Sequence, residues 1–316
     1  MRSKPVTEIR TMTHRTVIII TFTVNCINIC DFFYKVMIKF FQSWDNFLRP
    51  SVCVYLVAIY VMGMLVSKVY SPLHIAGAVV ATLLCFASIT VNHFYDRNYD
   101  KKSSQLYRFP VANGSISPRF AAIFSVAILL ASLVISLLLF SNAAFYLVVF
   151  GIFVVISYSR PPLRTKERPT IGLIWNGLGY GLLPYYLALL VSQVPISINM
   201  HLFALVPFLI AISGHILLQI RDIDDDKKAR VKTTSTKLGN LRALKLAKIM
   251  PAIAGLIVLY LAAVSFLNPL AFGSVIIGAL AILEYRRMKK QKVDKSYRKL
   301  KYIYIISGIL LILSLL

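Results

Sequence analysis

Acidic side chains are the scarce component of this sequence: Asp and Glu number 12 in 316 residues, against 35 Lys and Arg. Charged residues of both signs reach only 15%, well short of the roughly 25% of an ordinary soluble domain. A water-facing surface of normal extent is thereby excluded. Cysteine is sparse as well. Cys26, Cys30, Cys53 and Cys85 lie in apolar surroundings without the His or Cys neighbours of a zinc site, and read as reduced, buried filler. A cleavable leader is not expected, because the first apolar run, Val17–Cys30, follows a polar stretch and has no small-residue cleavage site.

Apolar length is what the chain has in abundance. It is 58% hydrophobic with a mean hydropathy of +0.73, which describes a membrane protein. Apolar stretches long enough to cross a bilayer fall near 52–68, 73–92, 119–140, 143–158, 171–193, 200–220, 243–266, 269–285 and 301–316. They predict an all-α membrane protein of nine transmembrane helices. Residues 1–48 form a separate basic N-terminal segment whose aromatic part, Phe32 to Phe47, suits an interfacial amphipathic helix. Residues 49–316, opened by Arg49-Pro50, form the membrane domain.

The net charge of +23 resembles a nucleic-acid footprint until it is mapped along the chain. Of the 35 Lys and Arg, 34 fall in 1–50, 93–119, 159–170, 221–248 and 285–301, and only Lys68 falls on the other side of the expected topology. The positive-inside rule then places the N-terminus and the long loops in the cytoplasm and the C-terminus opposite. The basic excess is topology plus attraction to anionic membrane lipids, about 1 kcal/mol per residue near the surface, and no nucleic-acid partner is expected.

Half of the few acids sit in two clusters, Asn92-x3-Asp96-x3-Asp100 and Asp222-Ile-Asp-Asp-Asp226, each ending a long apolar run. Acids beside membrane spans are costly and mark partners, cavities or ions. Asn92, Asp96 and Asp100 recur every fourth residue and share one helix face, as do Asp222 and Asp226, with Asp225 in reach. Such carboxylates repel one another unless a cation neutralises them, and Mg²⁺, held by a few carboxylates plus substrate phosphates, fits them. The alternative is two solvated helix ends paired with nearby Lys and Arg.

His215, Gln219, Asp222 and Asp226 form a polar stripe on the sixth span, which requires a polar cavity. His215, deeper than the acids, either meets an acceptor or a proton, or bonds a neighbouring helix. The loop Tyr158-Ser-Arg-Pro-Pro-Leu-Arg164-Thr-Lys166 presents Arg164 and Lys166 on a proline-stiffened turn, and Arg108 follows the first cluster. Guanidinium and ammonium groups beside a metal describe a diphosphate site, although each basic residue also serves as a topology signal. Gly177-Leu-Gly-Tyr-Gly181 lies inside an apolar run, so it reads as helix packing and not as a phosphate loop.

In this order and at these topological positions, Asn-x3-Asp-x3-Asp, Tyr-Ser-x-Pro-Pro-x-Arg-x-Lys and His-x3-Gln-x2-Asp-x3-Asp resemble the UbiA-type intramembrane prenyltransferase superfamily over about residues 44–316. The resemblance implies a helical bundle around a central cavity, with an active site at the cytoplasmic side. Its two aspartate motifs would face each other, with Mg²⁺ between them and a polyprenyl diphosphate. Asn92, Asp96, Asp100, Asp222 and Asp226 would then be metal and diphosphate residues, with Gln219 and Asp225 supporting them. Arg108, Tyr158, Arg164 and Lys166 would assist the diphosphate, and Asp96, Asp226 and His215 would carry the catalysis. This chain departs from the common pattern at His93, where many members have Asp, and at Arg108, displaced by one position.

The expected activity is Mg²⁺-dependent transfer of a polyprenyl group from its allylic diphosphate to a lipophilic acceptor: an aromatic acid or quinone precursor, a prenylglyceryl phosphate, a tetrapyrrole or a carotenoid end group. A terpene cyclase on the same fold is the alternative chemistry, separable by product analysis without acceptor. A secondary transporter fits less well, because its site lies near the midplane on paired broken helices, whereas these acids lie at one interface. A CDP-alcohol phosphotransferase lacks support, since its Asp-Gly-x2-Ala-Arg signature is absent.

Overall fold

The computed structural model describes residues 37–38, 40–228, 231–287 and 293–316. The chain divides into two compact units, Met1–Asp45 and Asn46–Leu316. In the first, the described residues are helical, and Phe40 meets Phe41 and Trp44 at centroid distances of 5.8 and 6.1 Å. Cys26, Cys30, the run Val17–Cys30 and the start of the expected interfacial helix lie outside the described residues.

The second unit is helical. Its elements are α1 (Pro50–Ser67), α2 (Leu73–Asp100), α3 (Pro118–Leu139), α4 (Asn142–Ser159), α5 (Ile171–Ser192), α6 (Ile198–Arg221), the short α7 (Ile223–Lys228) and α8 (Thr234–Leu238), α9 (Asn240–Ala263), α10 (Leu270–Arg287) and α11 (Val293–Leu313). Local chemistry sets the boundaries. Pro50 and Pro118 occupy first-turn positions, where a missing N–H does no harm. Ser117, Ser141 and Ser197 accept from Phe120, Ala144 and Met200 N–H and cap α3, α4 and α6.

Among the described residues, the helix ending at Ser67 and then α2 to α6 and α9 are long and apolar enough to cross a membrane, seven in all. They match the first seven expected spans. The eighth and ninth are also helices, α10 over Leu270–Arg287 and α11 over Val293–Leu313, the latter opening with the charged run Val-Asp-Lys-Ser-Tyr-Arg-Lys. Among the described residues, length and apolarity directly support seven crossings. The protein is an integral, multi-pass membrane protein.

Two cores meet on α1 and α5. Ile59, Met62, Tyr185, Leu189, Phe203, Val258 and Leu261 join α1, α5, α6 and α9, while Leu56, Tyr60, Val80, Cys85, Val148 and Leu187 join α1, α2, α4 and α5. A third cluster, around Ile216, Leu217, Ala243, Ala247 and Tyr285, ties α6 to α9 and α10. These contacts hold the C-terminal ends of α2 and α6, where the acids lie.

α5 is not a uniform α-helix: Leu178–Leu182 form a π turn between Ile171–Gly177 and Leu183–Ser192. At Gly181 a Cβ would stand 2.6 Å from Phe208 Cα and 2.9 Å from Pro207 O, so α6 approaches where Pro207 interrupts it. The glycine run is thus a packing surface, as expected. Gly181→Val is expected to lower stability by about 1–3 kcal/mol through overpacking, while Gly214→Ala, with nothing within 4 Å, leaves it nearly unchanged. Thermal unfolding of the two variants in the same detergent checks the contrast.

Candidate active site

The 28-residue α2 carries Ser88, Asn92, Asp96 and Asp100 at steps of four, one stripe down one face. Asp96 and Asp100 are 4% and 8% exposed. Both stand in the last turns of the helix, where the backbone dipole presents its negative end, so burial and dipole alike disfavour anionic side chains. The second set has a different setting: Asp222 follows the last residue of α6, while Asp224, Asp225 and Asp226 lie in the first turn of α7, where the helix dipole favours anions.

The loop after α4 supplies the neutralising charge. Arg164 Nη2 donates to Asp96 Oδ1 at 3.0 Å, and Lys166 Nζ bonds Asp96 Oδ2. Arg164 is held from behind by Glu167, 2.5 Å from its Nε, and adopts a left-handed conformation at φ 37°. Its N–H closes on Arg160 O at 2.9 Å. Gly172 lets this loop rest on α5, since a Cβ there would lie 3.1 Å from Lys166 Cα. The proline-stiffened loop thus delivers both cations to one carboxylate.

The two acid sets converge. Asp225 Oδ2 accepts from Ser103 Oγ at 3.2 Å and from Ser104 Oγ and N–H at 3.0 and 3.4 Å, which binds the segment after α2 to α7. Lys166 lies within Coulombic reach of Asp226 as well as bonding Asp96. Asp222 accepts two bonds from Arg221, at 2.7 and 2.9 Å, and the Arg221 guanidinium lies 5.8 Å from the Tyr297 ring. Thr233 Oγ1 donates to Asp226 at 3.4 Å. Burial, with Asp222 beside it, pushes the Asp226 carboxyl up to about 7.

The other expected residues take definite places. Asn92 donates to Ser159 Oγ at 3.2 Å, and Arg108 donates to Gln105 Oε1 at 2.6 Å. Gln219 Oε1 accepts from Ser235 N–H at 3.2 Å and so anchors the start of α8 behind the acids. The Tyr158 hydroxyl lies 3.2 Å from His215 Nε2 and bonds none of the acids. His93, one residue past Asn92, points off the acidic face: it is 1% exposed, 3.2 Å from Asn46 O and stacked on Phe47. Ser103, Ser104, Ser159 and Glu167 escape sequence reading because short polar side chains carry no distinctive spacing.

A divalent cation fits this donor set. Asn92, Asp96, Asp100, Asp222 and Asp226 offer oxygen alone, as hard cations require, and buried Asp100 Oδ2 has no hydrogen-bond partner. As they stand, the described residues do not place three or more His, Cys, Asp or Glu groups around one point, and Lys166 and Arg164 occupy Asp96.

The family model for the UbiA prenyltransferase family matches residues 54–308. The chain belongs to this family. It is a prenyltransferase, and its relatives agree. The digeranylgeranylglyceryl phosphate synthase of Methanothrix thermoacetophila is 30% identical over 263 residues, covering 80% of this chain and 92% of its own length. Among solved structures, a UbiA homologue from Archaeoglobus fulgidus bound to GPP and Mg²⁺ has a TM-score of 0.67 at 21% identity, over 85% of this chain and 99% of that one. A UbiA homologue from Aeropyrum pernix K1 gives 0.68 at 19%, over 84% and 98%. At such identities the two structures show a shared fold.

The raised Asp226 value has a defined sign. From the ordinary carboxylate range up to about pH 7 the folded protein keeps a proton that the unfolded chain has lost, so the stability this group gives at acid pH is lost as pH rises through that window. A bound cation needs the ionised form. The gain in Tm on adding Mg²⁺ is therefore expected to be larger at pH 8 than at pH 6, and Asp226→Asn to flatten that difference. Thermal unfolding across pH checks it; an equal gain at both pH values contradicts it.

Proposed function

We propose that this prenyltransferase moves a polyprenyl group from an allylic polyprenyl diphosphate to a lipophilic acceptor at the convergent acid motifs, with Mg²⁺ as its cofactor. The observation that carries the reading is the placement of Lys166: it bonds Asp96 and acts electrostatically on Asp226, so one cation serves both acid sets. Asn92, Asp96, Asp100, Asp222 and Asp226 hold the metal, and Asp225 and Gln219 keep the two loops in register. Bound there, the metal neutralises the acids and stabilises negative charge on the diphosphate. The homologue from Archaeoglobus fulgidus with GPP and Mg²⁺ supports the pairing of ligand and ion.

In this reading Arg164 and Lys166 exchange Asp96 for the diphosphate oxygens, and Arg108 adds a third cation. Preorganised positive groups then meet the charge that develops as the C–O bond breaks. The apolar walls of the surrounding helices house the prenyl tail and keep water from the cation. His215, bonded to Tyr158, receives the proton lost by the acceptor. The relatives named as digeranylgeranylglyceryl phosphate synthases make a prenylglyceryl phosphate the acceptor class of first choice. The charge distribution along the chain supports a cytoplasmic site and N-terminus.

Diphosphate release by purified protein, with geranylgeranyl or farnesyl diphosphate and a panel of acceptors, tests the reading. Release is expected to require Mg²⁺ and acceptor, and Asp96→Asn or Asp226→Asn to lower it at least about 100-fold in protein that elutes as wild type. Undiminished turnover in these variants removes the acids from the mechanism, and a cyclic product without acceptor assigns the chemistry to a cyclase.

A further inference from the structure

The stripe on α2 continues past Asn92. One turn deeper it carries Ser88, whose hydroxyl donates to Cys85 O at 2.7 Å and therefore receives the Tyr180 hydroxyl, 2.8 Å away. Tyr180 stands in the π turn of α5. A π turn inserts a residue without ending the helix and is common at functional sites, where it re-aims a side chain. Gly177 and Gly181 press this turn against Phe208 and Pro207 of α6, so the backbone under Tyr180 is held on both sides.

Tyr180, Tyr158 and His215 are each half-buried among the packed helices, so each keeps some accessible surface. Tyr158 lies within Coulombic reach of Tyr180, Asp96 and Asp226. The hydroxyl of Tyr158 goes to His215 and that of Tyr180 to Ser88, so neither engages an acid. A layer of polar-tipped rings thus lies on the membrane side of the acids.

In the transfer, the bond between C1 and the diphosphate oxygen breaks and its electron pair leaves with the diphosphate. Positive charge remains on the allylic carbons until the acceptor bonds C1 and gives up a proton. With the diphosphate among the acids and cations and the tail in the apolar span, those carbons fall at the layer between. We propose that Tyr180 is a catalytic residue: its ring, fixed by the π turn and the bond to Ser88, lies against the allylic carbons and stabilises their positive charge through its π face. The proposal rests on the acid motifs binding the diphosphate. Aromatic faces attract cations most strongly where water is excluded.

The test replaces Tyr180 by Phe, by Leu and by a fluorinated tyrosine series. Tyr180→Phe keeps the ring and is expected to stay within a few-fold of wild-type kcat. Tyr180→Leu is expected to lose kcat on the order of 10-fold to 30-fold with KM for the prenyl diphosphate little changed. Each added fluorine, which weakens the ring's negative face without changing the fold, is expected to lower kcat progressively. A flat fluorine series, or Tyr180→Phe as impaired as Tyr180→Leu, overturns the proposal. Asp96→Asn, assayed alongside, separates the two readings: if it is inactive while the fluorine series is flat, only the role of Tyr180 fails, and if it is active, the site itself has been misplaced.

Discussion

Neutralising carboxylates at the C-terminal ends of two apolar helices is the constraint on which the rest of this structure depends. Asp96 and Asp100 are buried in the last turns of α2, and Asp226 is pushed toward neutrality by burial and by Asp222. Low dielectric and like-charge repulsion act against all of them, and the negative end of α2 acts further against Asp96 and Asp100. Removing one partner of such a buried pair leaves an uncompensated charge, commonly at 3–5 kcal/mol. The positive φ of Arg164, the Arg164–Glu167 bond and the close seat of Lys166 on Gly172 are all arrangements that bring two cations to Asp96.

The same constraint joins structure to catalysis. Under the proposed function, a site that tolerates concentrated negative charge only when cations are present suits a diphosphate together with its metal. Arg164 and Lys166 neutralise Asp96 in the structure and, under the proposed function, turn to the diphosphate oxygens that replace it. Asp225, which receives three bonds from Ser103 and Ser104, keeps the two halves of the site at one separation. Beneath this layer α5 departs from regular α-helix at its π turn, and α6 packs against that turn at Pro207.

Much of this was legible from sequence because membrane burial makes polar residues conspicuous. In apolar runs the fourfold spacing of Asn92, Asp96 and Asp100 and the stripe from His215 to Asp226 stand out, and the first seven spans follow from length alone. Other features were not legible. The helix that carries the expected ninth span begins earlier, at Val293, and takes in a charged run that an apolar stretch alone does not reveal. Tyr158 follows the expected motif, yet its hydroxyl goes to His215, a partner 57 residues away that local spacing does not reveal. Tyr180 was concealed inside a glycine run whose evident purpose was packing.

The sequence by itself determined that the chain is a multi-helix membrane protein, where its acids cluster and which cations accompany them. Hydropathy, periodicity and charge are properties of consecutive residues. Tertiary structure alone decided which cation meets which acid, that Ser103 and Ser104 clasp Asp225, that His93 turns from the acids to Asn46, and that Tyr180 rests on Ser88. Those pairings depend on how far apart packed helices stand and how a turn rotates a side chain, and both are set by contacts between residues distant in the chain.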